Sequence, residues 1–104
     1  MSLLLTLLLA TRVYRVGGDV KAPVVISRVE AQIPRDAKCR GLILFKCVID
    51  ERGKVTALRD LSKQPDALSR AYADAVKRWR FRPATLHGTA VAVEYYLTVN
   101  VKCQ

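Results

Sequence analysis

A long alternation of apolar and polar residues near the C-terminus constrains this chain more than any other feature. From Val91 to Val101 every second side chain is valine, tyrosine or leucine. A repeat of two residues is typical of a β-strand with one buried face. We therefore predict a strand over residues 91–102 with a core-facing and a solvent-facing series, respectively Val91, Val93, Tyr95, Leu97, Val99 and Val101, and Ala92, Glu94, Tyr96, Thr98, Asn100 and Lys102.

The segment before this strand has the pattern of one amphipathic helix. Apolar residues recur at helical spacing from Leu68 to Trp79, and Asp66 occupies the position of the N-cap. The helix is predicted to continue until an aromatic anchor and a proline end it, with a glycine turn into the last strand. The structural residues expected there are Trp79, Phe81, Pro83 and Gly88. The two aromatic residues are interpreted as anchors that pack the helix onto the sheet; a recognition surface formed by them is the alternative.

Two further strands flank a predicted hairpin. Residues 42–50 and 55–61 are joined by Asp50-Glu51-Arg52-Gly53, where the glycine is available for positive φ. A helical crossover usually returns a strand parallel to the one it left, so residues 42–50 should lie between the other two strands and antiparallel to both. The predicted fold class is α+β. It consists of a small three-stranded antiparallel sheet with one main helix on one face, a short first helix that begins near Pro34, and an extended N-terminal lead-in.

In this topology the last strand lies at the edge of the sheet, and no further segment remains to cover it. An edge strand exposes a row of N–H and C=O groups that can pair with an extended peptide. The same edge can also pair with a second copy of the chain, so a homodimer is an alternative use of it.

The first twelve residues are predicted to lie outside the folded domain. They contain six leucines between Leu3 and Leu9. The run is shorter than the roughly 20 apolar residues that span a bilayer, and it resembles the apolar part of an export signal that ends near Ala10. We predict an export or anchor remnant over residues 1–12 and one domain over residues 13–104, while a strand or helix of the fold is the other interpretation of the leucines.

Charge and residue types narrow the function. Eighteen Lys and Arg residues against nine Asp and Glu give a formal net charge of +9, which suits acidic partners, nucleic acid or an anionic membrane. The carboxylates fall in turns, at a helix cap and on a helix exterior, and the single histidine, His87, lies in a loop. We therefore predict no catalytic residues, no metal site and no cofactor. The solvent-facing series of the last strand has one aromatic residue and one acid, so nucleic acid is not a predicted partner.

The three cysteines lack the spacing of a metal or redox motif. Cys39 precedes the central strand and Cys103 ends the strand antiparallel to it, so these two ends should lie near each other. We predict a Cys39–Cys103 disulfide. Cys47, in the middle of the central strand, is interpreted as a small buried hydrophobe.

Together these motifs resemble the C-terminal domain of TonB-family energy transducers. The specific part is the Trp-x-Phe-x-Pro-Ala element at residues 79–84, followed by Gly88 and the valine-rich strand. The resemblance covers residues 13–103. It implies a periplasmic domain of an inner-membrane protein that grips a short extended segment, the TonB box, of an outer-membrane transporter. In that family the domain passes on force from a proton-driven motor complex of the ExbB and ExbD type.

The resemblance also implies that the guest segment adds to the last strand. The partner-binding residues expected from it lie along that strand, at the proline of the first helix and at two arginines of the aromatic anchor: Val91, Val93, Glu94, Tyr95, Tyr96, Leu97, Thr98, Val99, Pro34, Arg80 and Arg82. Two features depart from the family. Ile33-Pro34 stands where the family usually has Tyr-Pro, and these 104 residues contain neither a full membrane anchor nor a proline-rich spacer. The alternative is a free-standing exported basic domain that binds other envelope proteins or nucleic acid without energy transduction.

Overall fold

A computed structural model describes residues 12–33, 35, 41–62 and 66–101. In chain order the elements are β1 (Val13–Arg15), β2 (Val20–Lys21), β3 (Val24–Ser27), β4 (Leu42–Ile49), β5 (Val55–Asp60), α1 (Ala67–Val76), β6 (Arg80–Arg82), β7 (Ala84–Leu86) and β8 (Thr89–Asn100). The leucine run, the predicted first helix at Pro34, and the cysteines of the predicted disulfide lie outside the described residues. No helix in the described part of the chain is both long and apolar enough to cross a membrane.

The predicted three-strand arrangement is confirmed at the centre of the molecule. β4 lies between β5 and β8 and is antiparallel to both. The turn between β4 and β5 is also as expected, because Gly53 has φ of +81° and its N–H donates to the carbonyl of Asp50 over 2.9 Å. The alternation of β8 holds in its second half, where Tyr95 packs inward and Tyr96 is 56% exposed.

The sheet is larger than the predicted one. β7 and β2 extend it beyond β8, in the order β2-β7-β8-β4-β5, and β1 also pairs with β8. A separate two-stranded sheet forms from β3 and β6. The added strands are two to four residues long. Segments of that length are too short to show an alternation of apolar and polar residues, so the sequence does not predict them as strands.

The helix is shorter than predicted. α1 ends at Val76, and the N–H groups of Arg78 and Trp79 donate to the carbonyls three residues before them, each over 3.0 Å. The chain then becomes extended, because β6 pairs with β3 and the N–H of Phe81 donates to the carbonyl of Gly53 over 2.9 Å. The aromatic anchor therefore lies after the helix and belongs to an extended segment.

The core lies between the sheet and α1. It contains the inward side chains of β4, among them Phe45, together with Leu68 and Val76 of the helix and Phe81 of β6. Cys47 is buried there as predicted, and this burial raises the pKa of its thiol to about 11. The thiol therefore stays protonated at neutral pH. Ala92, expected on the solvent-facing side of β8, is buried instead where β1 lies alongside.

A capping box starts α1. The Oδ1 atom of Asp66 accepts from the N–H of Ser69 over 2.9 Å, and the Oγ atom of Ser69 accepts from the N–H of Asp66 over 2.9 Å. Two N–H groups without helical partners are satisfied in this way. Asp66 is thus the N-cap, as predicted.

Replacing the cap should cost stability. We expect Asp66→Ala to lower the free energy of unfolding by about 1 kcal/mol, because an N–H in the first turn loses its acceptor. Asp74→Ala is the matched control, since it removes the same charge from an exposed position inside the helix. Urea denaturation followed by circular dichroism measures both. Equal effects of the two substitutions would contradict a capping role.

Candidate functional site

The two sides of β8 are unequally paired. On one side, residues 93–100 pair with β4. On the other side, β1 pairs with residues 92–94. β7 pairs with residues 89–91, before the β4 ladder begins. From Tyr95 to Asn100, no strand in the described ranges pairs with that second side. We call this side of residues 95–100 the free flank. The prediction that nothing covers the last strand is wrong for residues 92–94, where the N-terminal segment β1 occupies the flank.

The direction of the backbone groups follows from one hydrogen bond. The N–H of Val101 donates to the carbonyl of Gly41 over 2.8 Å, at the end of the ladder between β4 and β8. Because backbone groups alternate sides along a strand, odd-numbered residues of β8 point towards β4 and even-numbered ones point away. The free flank therefore presents the N–H and C=O groups of Tyr96, Thr98 and Asn100. The side chains of these three residues are exposed.

The free flank opens into a groove of about 700 Å³. One wall is residues 97–100 of β8. The other wall is the segment 28–31 with Ile33, and Tyr72 and Trp79 complete the lining. The groove therefore combines backbone groups that no described strand pairs, on one wall, with aromatic side chains between the walls.

Trp79 holds the far wall of this groove. Its Nε1–H donates to the carbonyl of Val29 over 3.0 Å, and the guanidinium carbon of Arg28 lies 5.3 Å from its ring centroid. Behind it, the ring of Phe81 contacts both Trp79 and Tyr95, with centroids 6.4 and 5.9 Å apart. Trp79 is half-buried and Phe81 is buried, so the first faces the groove and the second faces the core.

The structure brings together only some of the predicted partner-binding residues. Tyr95 to Val99 lie along the free flank. Val91 is paired with β7, and Val93 lies between β1 and β4 with its side chain in the core. Glu94 pairs with Arg15, whose Nε lies 3.8 Å from Oε1.

Two predicted arginines lie apart from the groove, on β6. Arg80 and Arg82 are exposed there, and neither lines the groove. Gly88, predicted as a structural residue, lies in the turn between β7 and β8 and has φ of +82°. Pro83 is half-buried between β6 and β7. His87, predicted to lie in a loop, is in the turn between β7 and β8. Its Nε2 atom lies 3.8 Å from a carboxylate oxygen of Asp19, and both side chains are largely exposed.

Sequence reasoning missed the far wall of the groove. Residues 28–31 show no repeat, so nothing in their pattern places them beside β8. The available signal was the indole of Trp79, whose N–H needs an acceptor when partly buried. Tyr72 belongs to the apolar stripe of the predicted helix. In the structure its side chain packs against the core and also lines the groove. The described residues include no cluster of three or more metal-ligating side chains.

Comparison with known proteins identifies the family. A family model described as Gram-negative bacterial TonB protein C-terminal matches residues 31–102. The chain belongs to the TonB C-terminal family. It is similar to protein TonB of Vibrio cholerae serotype O1, with 27% identity over 88 residues that cover 81% of this chain. The chain spans 36% of the length of that relative. The resemblance seen in the Trp-x-Phe-x-Pro-Ala element and the valine-rich strand is thereby confirmed.

Proposed function

We propose that this TonB-family domain binds an extended peptide in the periplasm by strand addition to the free flank. The guest is the TonB box of an outer-membrane transporter. The domain thereby supports energy-dependent transport driven by a motor of the ExbB and ExbD type, and it acts as a binding module without catalysis. The observation that carries the proposal is the free flank of residues 95–100, which no described strand pairs, beside an aromatic groove.

Two kinds of contact support binding at this place. The outward N–H and C=O groups of Tyr96, Thr98 and Asn100 can form a ladder with any extended backbone, and each such bond contributes about 0.5–1.5 kcal/mol net. Tyr72 and Trp79 can receive those guest side chains that point into the groove. The ladder supplies affinity that is independent of sequence, and the groove supplies selectivity.

A proline on the free flank tests strand addition. Thr98→Pro removes an outward N–H and places the ring towards the guest, while the β4 ladder keeps its bonds. We expect the dissociation constant for a TonB-box peptide to rise at least about tenfold, which corresponds to 1.4 kcal/mol. The measurement is fluorescence anisotropy with labelled peptides from the N-terminal extensions of TonB-dependent transporters.

Thr98→Ala is the matched control. It removes the same side chain but keeps the N–H, so its affinity should stay near that of the unchanged protein. Circular dichroism and thermal unfolding check that both variants fold. A folded Thr98→Pro protein that binds the peptides with unchanged affinity would reject strand addition here. Sedimentation of both variants shows whether a second copy of the chain uses the same flank, because only the proline would weaken such a dimer.

A further inference from the structure

β1 covers the part of β8 that comes immediately before the free flank. Val13, Tyr14 and Arg15 pair in parallel with Ala92, Val93 and Glu94. A guest that begins at Tyr95 would meet the end of β1 at Arg15. A cavity of about 360 Å³ lies at this junction, lined by Arg15, Val16, Lys46, Glu94, Tyr95 and Tyr96.

Among the described residues, few contacts hold β1 in place. It has three residues, whereas β4 pairs with β8 along eight. Val13 is 43% exposed. The ion pair between Arg15 and Glu94 is largely exposed on the arginine side, where the side chain is 86% accessible, so it contributes little. Tyr14 is the residue of β1 that packs against the core, with Arg12 over its ring at 5.1 Å.

The next part of the chain is held independently of β1. Gly17 and Val20 exchange two hydrogen bonds of 3.0 and 2.9 Å, and both Gly17 and Gly18 have positive φ. β2 then pairs with β7. The turn and β2 therefore remain attached to the sheet when β1 leaves, and the glycines provide a hinge between the two strands.

We propose that β1 is a displaceable cover strand that sets the length of the guest site. With β1 in place, the guest is limited to residues 95–100. With β1 released, the outward groups of Ala92 and Glu94 become available, and the same guest strand extends over residues 92–100. This inference rests on the proposed strand addition. Because β1 comes first among the described strands, a pull on the chain before Val13 acts on it before any other.

A reversible lock tests the cover strand. Val13 and Ala92 are direct partners in neighbouring strands, which brings their backbones within the range that a disulfide bridges. The test protein is the full chain with four substitutions. Val13→Cys and Ala92→Cys introduce the lock, and Cys39→Ser and Cys103→Ser remove two of the native cysteines. The guests are a short TonB-box peptide and versions extended by three residues at either end. We expect an extended guest to bind at least tenfold more tightly to the reduced protein than to the oxidised protein, and the short guest to bind both forms equally.

A second measurement keeps the two proposals separate. Hydrogen exchange on the unmodified protein without guest should show the amide of Glu94, which faces β1, exchanging through local opening. The amide of Leu97, which faces β4, should exchange far more slowly, and oxidising the lock should slow Glu94. Exchange of Glu94 only through global unfolding, or equal binding of extended guests to both forms, would overturn the cover strand. If the short guest does not bind but the amide of Glu94 still exchanges quickly, strand addition is rejected and the cover strand remains supported.

Discussion

Gly53→Ala is expected to lower the free energy of unfolding by roughly 3 kcal/mol or more. Gly53 has φ of +81°, a conformation that costs a residue with a Cβ atom about 1–2 kcal/mol. A Cβ atom at this position would also collide with the carbonyl oxygen of Phe81. The backbone of β6 would have to move, and Gly53 would lose the hydrogen bond that its carbonyl accepts from the N–H of Phe81.

Gly88→Ala separates the two causes. Gly88 has nearly the same φ, +82°, but a Cβ atom there meets nothing within 4 Å. We expect this variant to lose only about 1 kcal/mol, from backbone strain alone. Urea denaturation of both variants gives the difference. Similar losses would show that the approach between the hairpin and β6 is looser than the structure has it.

Trp79→Ala is expected to lower the free energy of unfolding by about 3 kcal/mol, at the lower end of the range for such truncations because Trp79 is half-buried. The indole joins two parts of the molecule: the groove wall at Val29 and the ring of Phe81. Its removal should also release the wall at residues 28–31. We therefore expect TonB-box affinity to fall by at least about tenfold even at temperatures where the variant is folded.

Trp79→Phe separates packing from hydrogen bonding. It keeps an aromatic ring in the groove but removes the donor to the carbonyl of Val29, which should cost about 1 kcal/mol of stability. Peptide binding should fall less than in Trp79→Ala, because the ring remains. Calorimetric unfolding and peptide titration on both variants measure the two effects. Wild-type affinity in a folded Trp79→Ala protein would remove Trp79 from the proposed site.

The part of the fold that follows from sequence is the part with long repeats. β4 and β8 are eight and twelve residues long, so their alternation could be detected. Connection rules then gave their order with β5. The N-cap at Asp66 could also be predicted from the sequence, because its carboxylate accepts a hydrogen bond from the N–H of Ser69, only three residues further along the chain.

What could not be predicted depends on contacts between distant short segments. The helix pattern runs through Trp79, but pairing of β6 with β3 and with Gly53 overrides it after Val76. Likewise, nothing local to Val13 indicates that it lies beside Ala92. The site was predicted as the last strand with Pro34, Arg80 and Arg82. The structure adds the opposite wall of the groove and shows that β1 already pairs with residues 92–94 of that strand.

The position of β8 within the sheet determines where a mechanical load would enter the domain. A guest drawn along the free flank would load β8 lengthwise and, through it, the eight residue pairs shared with β4. In that shear geometry the bonds of the ladder share the load together, whereas peeling breaks them one after another. With β1 in place, a guest would contact only residues 95–100, so it should detach before β8 separates from β4. The domain would then survive repeated cycles of loading without unfolding.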